Sequence, residues 1–173
     1  MLRPQWHFLS EEPPADVVEL LLAQRGLTGP ERDAFLQPSL DQLHDPFQLP
    51  DMETAVAKLE WALSWQQPVT VFGDYDCDGV TSTVLLYTLL KQAGMQVDYH
   101  VPHRIDDGYG LTPAGVEKVH ARGSRLIVTV DNGIAATEAI AKASTLGMEV
   151  IVTDHHKQEG ELPPACAVVN PNR

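Results

Sequence analysis

Residues 69–79 have the sequence VTVFGDYDCDG, in which a short apolar run leads directly into a loop with three aspartates. Two later segments have the same arrangement, LIVTVDNG at residues 126–133 and VIVTDHH at residues 150–156. Short Val/Ile-rich runs without alternation are typical of strands that are buried on both faces of a parallel sheet. The three segments therefore predict parallel strands whose carboxyl ends carry acidic and histidine side chains.

Helical patterns lie between these strands. The predicted strands are residues 69–72, 97–101, 126–130, 149–152 and 167–169, and the predicted helices are residues 80–93, 112–123 and 135–145. Regular alternation of strands and helices indicates an α/β fold. We therefore predict a parallel, Rossmann-like sheet flanked by helices. The pattern does not determine the order of the strands.

The first third of the chain has a different character. Apolar spacing and helix stop signals predict helices over residues 14–25, 29–38 and 51–66, separated by a proline-rich loop at residues 38–50. Asp51 is the predicted N-cap of the third helix, and Trp61 and Trp65 are expected to pack in a core. We predict two domains: a small helical N-terminal region over residues 1–66 and a larger domain over residues 67–173.

Composition restricts the class of protein. The chain has 173 residues, of which 43% are hydrophobic and 21% charged, as in a globular protein. The longest apolar runs are far shorter than the ~20 residues that a membrane helix needs. The N-terminal sequence does not resemble a signal peptide, and Cys77 and Cys166 do not form a disulfide framework. We therefore expect a cytoplasmic protein that does not bind a membrane.

The net charge is −12, which by itself argues against a surface built to coat nucleic acid. Residues 67–173 contain eight basic and thirteen acidic side chains, and five of these acids lie in the three strand-end loops. Without those five the second domain would be neutral. Such a local concentration of carboxylates usually binds cations.

The strand-end loops contribute the candidate functional residues, which are Asp74, Asp76, Asp78, Asp131, Asn132, Asp154, His155 and His156. Because the carboxyl ends of parallel strands lie at one edge of a sheet, these side chains should converge in one crevice. Clustered carboxylates repel one another unless cations separate them. Mixed carboxylate and imidazole ligands favour Mn²⁺, Fe²⁺ or Zn²⁺, and a pair of such ions is typical of phosphate-ester hydrolases. Asp131 is the best candidate for a bridging ligand.

The first loop leaves two geometries open. In an extended segment, Asp74, Asp76 and Asp78 would lie on one side, whereas in a tight turn they would surround a point. Gly73 and Gly79 would allow the backbone to bend sharply at both ends of the loop.

Other proteins also place several aspartates in a short loop. An EF-hand is disfavoured because its twelfth position is Leu85 and a strand precedes the loop. The nucleophile loop of haloacid-dehalogenase-like phosphatases is also similar, but it leaves the histidine pair unexplained. The sequence contains neither GxxxxGK nor GxGxxG, so a nucleotide cofactor is not predicted.

The order GDYDCDG, DNG and DHH, at these strand ends, resembles the DHH phosphoesterase superfamily. Residues 71–170, with PHRIDDGYGL at 102–111 and VTDHH at 152–156, are similar to the bacterial RecJ single-stranded-DNA exonucleases. FLQPSL and DPF in the N-terminal region are also similar to theirs. The combination of motifs is specific, although each motif alone is common.

The resemblance implies a 5′-to-3′ exonuclease that hydrolyses single-stranded DNA by two-metal-ion catalysis in repair and recombination. It implies Mn²⁺ or Mg²⁺ as cofactors and a single-strand-binding protein or other repair proteins as partners. The implied metal ligands are Asp74, Asp76, Asp78, Asp131 and His155. The implied catalytic set comprises Asp76, Asp78, Asp131, His155 and His156. In this set His156 would contact the scissile phosphate. Asp154, a supporting residue outside the set, would orient its neighbours.

His103 and Arg104 follow another predicted strand, so they should lie at the same sheet edge and bind a phosphate. The alternative for Arg104 is an ion pair with Asp106 or Asp107. Tyr109 and Asn132 are expected to support the site, and packing is the favoured role for Tyr109.

Relatives carry a fourth-motif aspartate, a linker helix, a second catalytic lobe and an oligonucleotide-binding domain beyond the region matched here. We therefore expect a catalytic-lobe fragment that is weakly active or inactive alone. One alternative is a phosphodiesterase of the same superfamily, acting on short oligonucleotides or cyclic dinucleotides, or a pyrophosphatase. Those relatives place a histidine where this chain has Phe72. The other alternative is a catalytically silent metal-binding module.

Overall fold

The structure is a computed structural model that describes residues 16–158 and 160–173. The chain divides into two compact units between Asp45 and Pro46. The predicted domain boundary between residues 66 and 67 stays a prediction. Within the described residues, no helix is both long and apolar enough to cross a membrane.

Over its described residues, 16–45, the first unit contains two short helices, α1 (Val17–Gln24) and α2 (Gly29–Leu36), and a 3₁₀ turn at Leu40–Gln42. Asp16 caps α1, because its carboxylate accepts a hydrogen bond of 2.8 Å from the Val18 N–H. An ion pair between Arg32 and Glu19 joins the two helices. Both helices were predicted from the sequence.

The second unit is built on a parallel sheet of five strands. These are β1 (Val69–Phe72), β2 (Val97–His100), β3 (Leu126–Val130), β4 (Glu149–Thr153) and β5 (Ala167–Val169), and every neighbouring pair is parallel. The spatial order is β2-β1-β3-β4-β5. The predicted parallel α/β fold is thereby confirmed.

Helices cover both faces of this sheet. They are α3 (Met52–Ser64), α4 (Cys77–Gln92), α5 (Pro113–Ala121) and α6 (Thr137–Thr145), and a 3₁₀ turn at Pro46–Gln48 precedes them. One core lies between the sheet and helices α5 and α6, and it includes Phe72, Val116 and Ile140. The other lies on the side of α3 and α4, and it includes Ala55, Val71 and Leu90.

The strand order determines where ligands can bind. From β1 the chain first builds β2 on one side and then β3, β4 and β5 on the other. The loops after β1 and β3 therefore diverge at the point where the order reverses. Open α/β sheets bind their ligands in the crevice at this point.

Helix α3 differs from expectation in two respects. Asp51 occupies the N-cap position in the left-handed region (φ 57°), but its side chain makes no capping hydrogen bond to α3. Trp61 and Trp65 are 45% and 67% exposed, so the prediction that they pack in the core was wrong. The face of α3 that meets the sheet instead buries Ala55 and Ala62 fully, with Met52, Leu59 and Leu63 partly buried beside them.

Both outer strands are closed at their open edges by an Asp–Arg pair. On β5 the Val168 N–H donates to Asp51 Oδ2 (3.0 Å), and Arg173 Nη1 donates to the Val168 carbonyl (2.6 Å). The same Arg173 nitrogen lies 2.6 Å from Asp51 Oδ2. We refer to these contacts as the β5 edge clamp.

The β2 edge has the same arrangement around Tyr99. The Tyr99 N–H donates to Asp98 Oδ1 (2.7 Å), and Arg122 Nη1 donates to the Tyr99 carbonyl (3.4 Å). Asp98 and Arg122 are themselves paired at 3.0 Å. We refer to these contacts as the β2 edge clamp.

The Asp51→Asn substitution should make stability less dependent on pH in the acid range. The Val168 N–H and then Arg173 lower the pKa of Asp51 in the folded state. The stabilisation is therefore fully present above the unfolded pKa of about 3.9 and is lost as pH falls through the lower folded pKa. Urea unfolding at several pH values should show the wild type more stable at pH 7, with the difference shrinking below about pH 4.

The matched control is Asp41→Asn, which removes one exposed carboxylate outside the β5 edge clamp. It should not reproduce the pH-dependent difference. If the gap between wild type and Asp51→Asn stayed constant down to about pH 3, Asp51 would not gain its stabilising contacts as a carboxylate.

Candidate active site

The loop after β1 is shaped by close packing around two glycines. A Cβ atom on Gly79 would lie 2.6 Å from the Asp74 backbone, and one on Gly73 would lie 2.0 Å from Thr83 Oγ1. Neither glycine has a positive φ. They let helix α4 approach the loop closely, and the prediction that they allow sharp backbone bends stays a prediction.

The three aspartates of this loop have different environments. Asp74 is fully buried, Asp76 is the N-cap of α4, and Asp78 lies in the first helical turn. Asp76 Oδ1 accepts a hydrogen bond of 2.9 Å from the Gly79 N–H. This capping starts α4 at Cys77, ahead of the predicted start at residue 80. Whether the three carboxylates lie on one side or surround a point stays a prediction.

Asp74 has a buried carboxylate with an unusual lack of partners. Its exposed fraction is 0%, and neither Oδ1 nor Oδ2 forms a hydrogen bond in the described part of the chain. Burying an unpaired carboxylate is costly, so such groups normally bind a cation or a donor. The site therefore has the chemical character of a cation-binding site.

Asp131 lies directly after β3 in a left-handed conformation (φ 63°), which is uncommon for a non-glycine residue. Its N–H donates to the Thr153 carbonyl (3.1 Å), and its Oδ1 lies 2.9 Å from His155 Nε2. Burial and the negative charge of Asp76 raise the pKa of Asp131, although His155 acts in the opposite direction. Asp131, His155 and His156 each offer a ligand atom, and these atoms lie within 4.8 Å of one another.

Asp154 connects the loop after β4 to the loop after β3. Its Oδ1 accepts hydrogen bonds from the backbone N–H groups of His155 (2.7 Å) and His156 (3.1 Å). Its Oδ2 accepts one from the Ile134 N–H (2.9 Å). The buried carboxylate therefore holds two loops in register.

His156 is held at both ring nitrogens. Its Nδ1 lies 2.7 Å from Asp154 Oδ1, and this contact raises the pKa of His156. Its Nε2 lies 3.5 Å from the Tyr109 hydroxyl. Burial and the surrounding carboxylates, Asp74 first among them, raise the pKa of Tyr109 to about 12. Tyr109 therefore stays protonated at neutral pH, and its O–H can donate.

Asn132 joins three segments of backbone. Its Nδ2 donates to the carbonyls of Phe72 (3.1 Å) and Val130 (2.9 Å), and its Oδ1 accepts from the Leu111 N–H (3.1 Å). The side chain is thus committed to the scaffold and links the ends of β1 and β3 to the loop that precedes α5.

His103 and Arg104 lie in the loop after β2. His103 Nδ1 pairs with Asp106 (2.9 Å), and Lys118 pairs with Asp107. The Arg104 guanidinium instead lies over the Tyr75 ring, 5.3 Å from its centroid. The alternative of an ion pair between Arg104 and Asp106 or Asp107 is therefore not what the structure contains.

Tyr75 is a site residue that the sequence analysis missed. Its ring packs edge-on against Tyr109, with centroids 6.3 Å apart, and Tyr109 in turn packs against His156 at 6.2 Å. The only sequence signal was its place between Asp74 and Asp76. This signal is weak because an aromatic residue in a loop usually only packs.

Two cavities flank the histidine pair. The first, of about 530 Å³, is lined by Asp78, Asp131, Asp154 and His155 together with apolar residues from α4 and β5. The second, of about 320 Å³, is lined by Asp154, His156, Tyr109 and Lys157 together with residues 132–136. The two adjacent histidines therefore contact different cavities. We call the first the acidic cleft and the second the Tyr109–Lys157 pocket.

The isosteric change Asn132→Asp should destabilise the fold by about 2–4 kcal/mol, because it replaces two buried N–H donations with a carboxylate facing two carbonyls. Chemical denaturation monitored by circular dichroism measures the loss. The control is Gln96→Glu, which adds the same charge at an exposed position. A loss no larger than that of the control would contradict the role of Asn132 as a clamp.

With this geometry established, comparison with known proteins identifies the family. Residues 68–173 match the model of the DHH family, N-terminal domain. The chain belongs to the DHH family. Asp154, His155 and His156, which are held together by the Asp154 hydrogen bonds, form the DHH sequence after β4.

Characterised relatives of this DHH chain are much longer. It is 42% identical over 164 residues to the single-stranded-DNA-specific exonuclease RecJ of Escherichia coli, a match that covers 94% of this chain and 28% of that protein. The corresponding RecJ of Bacillus subtilis is 39% identical over 158 residues, or 91% of this chain and 20% of that protein. The chain thus spans less than a third of the length of these relatives.

Solved structures give the same fold. The crystal structure of exonuclease RecJ bound to manganese has a TM-score of 0.68 and 38% identity, covering 75% of this chain and 33% of that one. RecJ in complex with Mn²⁺ from Thermus thermophilus also has a TM-score of 0.68, with 34% identity over 89% of this chain and 21% of that one. These structures match the parallel sheet and its flanking helices.

Proposed function

We propose that this chain carries the metal-binding catalytic residues of a 5′-to-3′ exonuclease that hydrolyses single-stranded DNA. The observation that carries the proposal is the buried, unpartnered carboxylate of Asp74 in the first loop of a site that also contains the Asp131, His155 and His156 cluster. The identity to RecJ exonucleases over most of this chain supports the reaction and the substrate.

The residues present fit divalent metal ions. The orphaned oxygens of Asp74 lack a donor, and the pKa of Asp131 is raised by burial and by Asp76, so a cation would relieve both. Carboxylates and imidazoles together suit Mn²⁺, the ion named for the RecJ structures. We assign Asp74, Asp76, Asp78, Asp131 and His155 as the metal ligands, with Mg²⁺ as the alternative ion.

Divalent ions held by these ligands would supply Lewis-acid stabilisation of the charge that develops on the phosphate and would lower the pKa of the attacking water. The protein supplies the orientation of the surrounding groups. Asp154 holds the His156 ring through Nδ1, which leaves Nε2 directed towards Tyr109 and the cavity mouth. We propose that His156 contacts the scissile phosphate from this position.

Arg104 and His103 are proposed to bind another phosphate of the strand. The cation–π contact with Tyr75 occupies the face of the guanidinium and leaves its N–H groups available, as phosphate recognition requires. We also propose a role in repair and recombination, with single-strand-binding or other repair proteins as partners, because the chain resembles RecJ. A cytoplasmic location is proposed from the composition of the chain.

The related phosphodiesterase activity on short oligonucleotides is less well supported. The position that would carry a histidine is Phe72, which is fully buried and packs against the His100 ring with centroids 4.8 Å apart. Its hydrocarbon ring offers no ligand atom to a metal. The other alternative, a catalytically silent metal-binding module, would be supported if the protein bound metal but did not cleave DNA.

Asp74→Asn should separate stability from metal binding. If Asp74 is a metal ligand, removing its buried charge should leave the metal-free melting temperature unchanged or higher. The rise in melting temperature on adding Mn²⁺ should largely disappear, because binding to the folded state is what produces it. Thermal unfolding with Mn²⁺ and with chelator measures both quantities.

Asp41→Asn serves as the control and should keep the full Mn²⁺ effect. A metal-free Asp74→Asn protein that melts several degrees lower and still responds to Mn²⁺ would assign Asp74 to the scaffold and remove the basis of the proposed site.

Digestion of a 5′-labelled single strand should depend on Mn²⁺ and stop with chelator. Asp131→Ala should abolish cleavage and Mn²⁺ binding in calorimetry while circular dichroism stays near wild type. The assay is run on this chain and on the complete open reading frame. A complete protein that releases no labelled mononucleotide in Mn²⁺ would contradict the exonuclease proposal.

A further inference from the structure

The Tyr109–Lys157 pocket has a different chemical character from the acidic cleft. Asn132, Asp154, His156 and Lys157 contribute its polar groups, and most of its wall is carbon, from Tyr109, Leu111, Ile134, Ala135 and Ala136. Its volume of about 320 Å³ is within the range of small-molecule binding pockets. A largely apolar cavity of this size, directly beside a cluster of candidate metal ligands, is suited to an organic group.

The walls of this pocket are fixed by buried hydrogen bonds. Asp154 Oδ2 holds the Ile134 N–H on one side, and Asn132 Oδ1 holds the Leu111 N–H on the other. Asp154 and Asn132 are 7% and 1% exposed, so both anchors lie inside the protein. The walls of the cavity are therefore fixed by the fold itself, which reduces the cost of ordering them on binding.

The two cavities differ in the charged side chains that line them, and therefore in the ligands that they suit. Three carboxylates line the acidic cleft, whereas among the described residues the only carboxylate of the Tyr109–Lys157 pocket, Asp154, is already bonded to three N–H groups and His156. Lys157 adds a cation at the rim, and within the described part of the chain it forms no ion pair. Cations suit the first cavity, and an apolar group linked to an anion suits the second.

We infer that the Tyr109–Lys157 pocket binds the nucleobase of the nucleotide whose phosphate lies at His156, with Lys157 close to the neighbouring phosphate. This inference rests on the proposed function, because it assumes a nucleic-acid phosphate at the metal cluster. Tyr109 offers a ring for stacking, and the carbon-rich walls offer little hydrogen bonding that would distinguish one base from another.

The pocket also gives a reason for acting on single strands. A base that enters a walled cavity is unstacked from its neighbours and cannot remain paired with a complementary strand. A duplex end would first have to open, at a cost in free energy. Selection for single strands would then be made beside the catalytic cluster itself, within this domain.

The test compares thymidine 5′-monophosphate with 2-deoxyribose 5-phosphate, an anion that has a hydroxyl group in place of the base. Both are titrated by calorimetry into the 173-residue chain in saturating Mn²⁺. Stacking and burial of one base should make the nucleotide bind at least about tenfold more tightly than the sugar phosphate. Ala135→Trp, which fills the pocket, should reduce this ratio to near one.

The matched control is Ala141→Trp, which places the same side chain at an exposed position of α6. It should keep the tenfold ratio. Ala136→Leu fills the same pocket with a smaller group and replaces Ala135→Trp if that variant does not fold. Mn²⁺ binding should be the same in all these variants.

Equal affinity of wild type for the two anions, or no binding of either in the presence of bound Mn²⁺, would overturn the pocket proposal and leave the metal site intact. A ratio that persists in both filled variants would also overturn it. Failure of the wild-type chain to bind Mn²⁺ at all would instead remove the proposed function on which the inference rests.

Discussion

The hydrogen bonds of the Asp154 carboxylate are the interaction on which the rest of the site depends. Loops after parallel strands share an edge of the sheet, but the sheet alone does not fix how their side chains are directed. Asp154 does so by accepting from Ile134 in one loop and from His155 and His156 in its own. The same carboxylate then orients the His156 ring. Backbone and side-chain geometry are thus fixed by one buried group.

A second consequence concerns charge. The chain is strongly acidic overall, yet its proposed substrate is a polyanion. An acidic site can bind a polyanion if its carboxylates, which create most of the local negative potential, are neutralised by bound cations. Asp74 and Asp131 are buried close to sources of further negative charge, and burial increases the energetic demand for that compensation. In such a site the carboxylates bind cations, and the cations in turn attract the negatively charged substrate.

Much of this architecture was accessible from the sequence because the hydrophobic pattern is strong. The runs 69–72, 126–130 and 167–169 matched β1, β3 and β5 residue for residue, and the predicted helix start at residue 112 is the N-cap of α5. What could not be predicted depends on contacts between distant segments. Asp51 bonds to Val168, far along the chain, instead of capping α3, and no local pattern contains that partner.

The site was predictable at the level of which loops converge, and less so in its details. The sequence placed the aspartates and histidines at one edge, but not the burial of Asp74, which follows from the close approach allowed by Gly79. Trp61 and Trp65 were expected in the core, but the face of α3 that meets the sheet contains Ala55, Leu59, Ala62 and Leu63 instead. Tyr75 was missed because its partners, Arg104 and Tyr109, come from a distant loop after β2.

The β5 and β2 edge clamps should also affect how readily the protein aggregates at high concentration. An outer strand normally exposes peptide groups onto which a strand from another molecule can add, and this is a common route to aggregation. Here the outward peptide groups of Val168 and Tyr99 are already bonded to aspartate and arginine side chains. The sheet is therefore terminated by charge at both ends, which disfavours fibril-like growth by edge-to-edge association.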